Sequence, residues 1–82
     1  MSSPVTLTVY GHSYCSLCEV MLDGLKSLQR EVGFSLQWID IEGDDALEAR
    51  FGELVPVLMM GDEMLCHYHL DESLLRERFI RE

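Results

Sequence analysis

The chain has 82 residues, of which 48% are apolar and 26% charged, so its composition is globular and there is room for one small domain over 1–82. Fifteen acidic against six basic residues leave a net charge of −9. That balance argues against nucleic-acid binding, where Lys and Arg must neutralise phosphates, and against docking on an anionic membrane surface.

At the N-terminus, Met1-Ser2-Ser3-Pro4 carries no basic stretch followed by an apolar core, so no secretory leader is expected. No apolar run approaches the ~18–20 residues of a membrane span. The expected location is therefore cytoplasmic. Val5–Tyr10 alternates apolar and polar residues and is rich in β-branched side chains, which predicts a strand that Gly11 breaks. From Ser16 to Val32 the residues Leu17, Met21, Leu25, Leu28 and Val32 recur at steps of four, four, three and four. That spacing predicts one stripe of an amphipathic helix, stopped by Gly33.

Phe34–Ile41 alternates again and predicts a second strand, with Trp38 in the core. Gly43-Asp44-Asp45 reads as a turn, with one Asp capping a short helix that carries Leu47 and Phe51. Val57–Met60, Gly61-Asp62 and Glu63–His67 read as a tight hairpin. Asp71 or Ser73 starts a last helix with Leu74, Leu75 and Phe79 inward. Its Arg76, Arg78 and Arg81 lie toward the C-terminal end, where cations suit the helix dipole. The order is β-α-β-α-β-β-α. A helix joins the first two strands, so they should be parallel, and the last pair antiparallel. A four-stranded mixed sheet with three helices uses the whole chain.

The sharpest chemical feature is Cys15-Ser16-Leu17-Cys18, directly after the first strand and at the start of the first helix. Cysteines three apart on the first turn have Cα atoms ~5–6 Å apart, within the range a disulfide tolerates. The first sulfur meets helix N–H groups that lack an internal partner, at the positive end of the dipole. Both favour the thiolate, the reactive form. The dipole alone supplies only ~0.3–1 kcal/mol at an exposed site, so direct N–H···S contacts or a cation must add to it. His12 is the nearest candidate cation in sequence, while Glu19 works the other way.

These features resemble the thioredoxin fold, in the short form of the glutaredoxins and small bacterial glutaredoxin-like proteins. The resemblance covers essentially the whole chain and includes Val55-Pro56 before the hairpin. It implies that Cys15 is the attacking thiol and Cys18 the resolving one. It implies a cis peptide at Pro56 that sets the Val55 backbone opposite the cysteines, where a substrate can pair with it. Read from its position alone, Tyr14 either covers the same site, as a substrate-binding residue, or shields the loop. The implied activity is thiol–disulfide exchange with protein or small disulfides, by a monomer that needs no organic cofactor or metal, with glutathione or a thioredoxin-type reductase returning the electrons.

The chain also departs from the glutaredoxin pattern. His12 stands where a Lys is frequent, Leu54 where Thr is common, and Ser16-Leu17 where Pro-Tyr is usual. Counting forward from Pro56 puts Cys66 and His67 where a Gly-Gly pair admits the glutathione backbone. Tight glutathione binding is therefore not expected.

Two alternatives stand beside exchange. One is a binding module that docks a partner on Val55-Pro56, with the cysteines structural. The other is carriage of a metal or cluster, for which Cys15, Cys18, Cys66 and His67 or His69 are four possible ligands. Against zinc, no sequential second pair of ligands accompanies the first. The plainer reading makes Cys66 a packed strand-end thiol and the two histidines surface residues.

Overall fold

The computed structural model describes residues 5–80. The leader reading at Met1–Pro4 and the last-turn position of Arg81 lie outside the described residues. Seven elements follow the expected order: β1 (Thr6–Gly11), α1 (Ser16–Val32), β2 (Ser35–Asp40), α2 (Asp45–Phe51), β3 (Val57–Met60), β4 (Glu63–His67) and α3 (Glu72–Ile80). The four strands form one mixed sheet in the order β2-β1-β3-β4. β1 runs parallel to β2 and antiparallel to β3, and β3 is antiparallel to β4. The C-terminal ends of β1 and β2, the start of α1 and the start of β3 thus share one end of the sheet.

The two inner strands are covered on both faces, and the alternation of their side chains sorts the core into two layers. Leu7, Val9 and Leu58 point to the face covered by α1 and α3, where they pack with Met21, Leu25, Leu28 and Leu75. Tyr10, Val57 and Met59 point to the opposite face, where α2 brings Phe51 and Leu47. Phe51 stacks on Tyr10 with ring centroids 4.6 Å apart. Each aliphatic side chain buried this way contributes ~1.5–3 kcal/mol.

Turn and cap chemistry fixes the element ends. Gly33 ends α1 at φ 68° and donates its N–H to the Gln29 carbonyl. The Asp44 carboxylate caps α2 by accepting from Leu47 N–H, and Asp71 caps α3 by accepting from Leu74 N–H. Gly61 takes φ 62° in the hairpin. Arg76 and Arg78 are drawn into ion pairs across elements, with Glu31 and Glu63.

The structure corrects four details. Leu17 does not join the buried stripe of α1: it is 38% exposed, and Cys18 takes its place at 1%. The stripe therefore begins one residue later, with Cys18 set against the end of β1 at Gly11. Gly11 does not break β1. It is the last strand residue, opposite Asp40. Trp38 is half-buried on the edge strand β2, packed against the larger core layer rather than inside it. The hairpin is irregular, because the register of β3 and β4 shifts between Leu58 and Met59.

Candidate active site

The loop after β1 delivers Cys15 to the N-cap of α1. Its backbone is extended, at φ −106° and ψ 118°, as an N-cap requires. Its Sγ accepts the N–H of Cys18 at 3.2 Å, so sulfur takes the capping role that an oxygen of Ser or Asp usually fills. The Cys15 carbonyl accepts from Glu19 N–H and closes the first turn. Cys15 is partly exposed, whereas Cys18 is buried, and both thiols are free.

Burial pushes the Cys18 thiol up to about 11, and the neighbouring Cys15 sulfur adds to that through a hydrogen bond and its charge. The His12 backbone beside Cys18 pulls the other way. Cys18 also explains Gly11. A Cβ built on Gly11 would stand 2.6 Å from Cys18 Sγ and 3.0 Å from the Trp38 ring. The glycine therefore leaves room for the buried thiol at the strand end.

The raised Cys18 value carries a stability consequence. A thiol whose folded value lies above its ordinary 9.0 favours the folded state fully below pH 9, and this is lost as pH rises through about 11. Urea unfolding from pH 8 to 11 should show the parent losing stability relative to Cys18→Ala by on the order of 1 kcal/mol per pH unit above pH 9. Parallel curves for the two proteins would remove the argument.

In the loop before β3, at the same end of the sheet, the Val55–Pro56 peptide bond is cis, Pro56 is buried and Val55 half-buried. Tyr68 holds this loop from the side. Its N–H donates to the Pro56 carbonyl at 2.9 Å and its hydroxyl to the Glu53 carbonyl at 2.6 Å. To do so it adopts φ 66°, a left-handed backbone that a non-glycine residue enters at a cost of ~1–2 kcal/mol. Counting forward from Pro56 sets the close-approach pair on Cys66 and His67. The left-handed residue comes one position later, at Tyr68.

Tyr14 stands 76% exposed beside Cys15, and its hydroxyl donates to Glu42 Oε2 at 3.1 Å. The hydrogen bond to Glu42 is the main reason that its pKa is raised, and the charges of Asp40 and Glu48 act in the same direction. The His12 ring lies 6.3 Å from the Tyr14 ring, and its Nδ1 is buried without a hydrogen-bond partner. His12, Asp40 and Glu42 each offer a ligand atom within 4.8 Å of the others, the one such grouping among the described residues. The alternative set of Cys15, Cys18 and Cys66 with His67 or His69 is thus not brought together there. Cys66 is half-buried at the far side of β3, and burial raises its thiol as well. Among the described residues, no helix is long and apolar enough to cross a membrane.

Sequence reasoning missed Gly11, Tyr68 and the pair Asp40 and Glu42. Gly11 had a signal in its place between a strand and the two cysteines. The other three are set by tertiary packing and carried none.

Comparison with known proteins gives a family and the same fold. The family described as Glutaredoxin-like domain (DUF836) matches residues 6–79. The solution NMR structure of protein Ne2328 from Nitrosomonas europaea is similar over 96% of this chain and 95% of its own, at 37% identity and a TM-score of 0.86. The X-ray structure of protein XcR50 from X. campestris is similar over 88% of this chain and 92% of its own, at 29% identity and a TM-score of 0.68. The germline-specific thioredoxin Deadhead of Drosophila melanogaster shares 20% identity over 94% of this chain and 79% of its own, with a TM-score of 0.58, which shows the thioredoxin fold alone.

Proposed function

Because the chain belongs to the glutaredoxin-like domain family, we propose that it is a thiol–disulfide oxidoreductase with Cys15 as nucleophile and Cys18 as resolving thiol. One observation carries the proposal: a half-exposed sulfur caps α1 and accepts a backbone N–H at 3.2 Å, with a second thiol buried directly behind it. An N–H aimed at sulfur stabilises the anion more than the neutral thiol, which is what a nucleophile needs.

The Cys15 thiolate attacks one sulfur of a substrate disulfide. The substrate S–S bond breaks, and its electron pair leaves on the departing thiolate, which takes a proton from solvent. Cys15 is then held in a mixed disulfide. Its charge no longer faces Cys18, so one of the influences that keep that thiol protonated is gone. Cys18 loses its proton and attacks Cys15 Sγ, expelling the second substrate thiol. The sum converts the protein dithiol and one disulfide into a protein disulfide and two thiols. Glutathione or a thioredoxin-type reductase would restore the dithiol. In this reading Tyr14, Val55 and Pro56 flank the bound substrate.

The test is Cys18→Ser. Mixed with hydroxyethyl disulfide, this variant should accumulate a stable adduct on Cys15, a mass increase of one mercaptoethanol group, while the parent passes on to the Cys15–Cys18 disulfide. The proposal fails if the variant forms no adduct, or if the parent stays reduced. Either result would favour the binding-module alternative.

A further inference from the structure

Charge is unevenly distributed along this molecule. The end that carries Cys15 is ringed by exposed acids. Glu19 sits in the first turn of α1 and bonds back to the Cys15 carbonyl at 3.1 Å. Asp40 and Glu42 follow the end of β2, and Glu42 accepts the Tyr14 hydroxyl. Glu53 lies two residues before Val55, on the strap held by Tyr68.

No Lys or Arg among the described residues forms an ion pair with these four, and the base set among them is His12, which offers a ring nitrogen within 4.8 Å of Asp40 and Glu42; the salt bridges join Arg76 to Glu31 and Glu72, and Arg78 to Glu63. These pairs sit toward the C-terminal end of α1 and at the hairpin, the opposite end of the sheet. Lys26 and Arg30 lie further along α1, roughly 16 and 22 Å from Cys15 at the rise of 1.5 Å per residue. Both distances exceed the ~8–10 Å screening length of physiological salt. Arg50 shares a surface recess with Glu48 and Glu53, which outnumber it. The raised hydroxyl of Tyr14 reports the same negative surroundings from beside the reactive sulfur.

The rim is also apolar in places. Tyr14, Leu17 and Val20 are all exposed around the opening of α1. A partner of matching character carries positive charge next to its disulfide and enough chain to cover these side chains.

We infer that the working substrate of Cys15 is a basic polypeptide disulfide, a cystine flanked by Lys or Arg that the acidic rim of the site attracts. The inference rests on the exchange reading above and narrows it. An anionic disulfide such as oxidised glutathione meets the same field as a repulsion. Electrostatic attraction at a rim acts on encounter, so its effect appears in the second-order rate and fades with salt.

The experiment uses three disulfide-linked peptide dimers of one design, N-acetyl-Xaa-Cys-Xaa-amide, with Xaa as Lys, Gln or Glu. Reduced full-length protein is mixed with each under single-turnover conditions, and thiol release is followed. Each rate is divided by that of the same dimer with dithiothreitol, which removes differences in intrinsic disulfide reactivity. At about 10 mM salt the Lys dimer should react at least about tenfold faster than the Glu dimer, with Gln between them. In about 0.5 M salt the three should converge to within about threefold.

Glu42→Gln keeps the Tyr14 hydrogen bond and should shrink the Lys-to-Glu ratio, as should Glu19→Gln. Compared at about 0.15 M salt, where the screening length is only ~8 Å, Asp62→Asn, at the hairpin turn, makes the same change in net charge at the far end and should leave the ratio within error of the parent. Equal normalised rates for all three dimers, with no salt dependence, would overturn the inference while leaving exchange intact. So would an equal response to Asp62→Asn and Glu42→Gln, which would trace the preference to overall charge. Reaction of none of the dimers would instead bring down the exchange reading.

Discussion

Cys15→Ser is expected to reduce disulfide turnover to the uncatalysed rate while leaving the fold intact. The two halves of this result have separate causes. A serine hydroxyl forms no disulfide, so the first chemical step has no nucleophile. Serine is nonetheless among the best N-cap residues, and its oxygen can accept the Cys18 N–H that Cys15 Sγ accepts at 3.2 Å. Thermal unfolding should place the variant within about 1 kcal/mol of the parent, on either side. A hydroxyethyl disulfide assay coupled to dithiothreitol provides the second reading. Turnover persisting at the parental rate would refute the assignment of Cys15, and would turn attention to Cys18 and Cys66.

Gly11→Val has the opposite profile. It alters no reacting atom but strikes the packing behind one. The first added carbon already lies 2.6 Å from Cys18 Sγ and 3.0 Å from Trp38, and valine adds two more. Cys18 is buried and has little room to give way, and the half-buried Trp38 is held on one face by the larger core layer. Overpacking of this kind costs ~1–3 kcal/mol, and the branched side chain points to the upper end. That is a large part of the ~5–15 kcal/mol available to a small domain. Urea unfolding measures the loss. Displacement of the Cys18 thiol should also slow the second step, so the mixed disulfide on Cys15 should become detectable by mass in this variant. Unchanged stability and no accumulation would mean that the strand end relaxes freely, and that Gly11 has no part in seating Cys18.

Much of this molecule was legible along the chain because the relevant signals are local. The spacing of Met21, Leu25 and Leu28 marks the buried face of α1 whatever it packs against. The cysteines three apart after a strand mark a helix opening in the same way. Legibility failed where the deciding contact is distant. Leu17 obeys the helical period, but the period cannot say where the sheet beneath it ends. Gly11 reads as punctuation until Cys18 is seen against it. Tyr68 is the clearest failure: nothing in Cys-His-Tyr-His announces a left-handed backbone. Only its bonds to the Pro56 and Glu53 carbonyls hold it there. Asp40 and Glu42 reach the site because β1 and β2 run parallel in register, which brings Glu42 beside Tyr14 across 28 residues of sequence.

The use of sulfur as the cap of α1 links the proposed chemistry to mechanics. A sulfur engaged in a disulfide is a poorer acceptor than a thiolate, so in the proposed exchange the leading coil of α1 would lose part of its cap while Cys15 is in a mixed disulfide. Cys18 sits on that same coil and would have to reach Cys15 Sγ at that moment. Under that proposal the atom that reacts would also be the one that caps the coil carrying its partner.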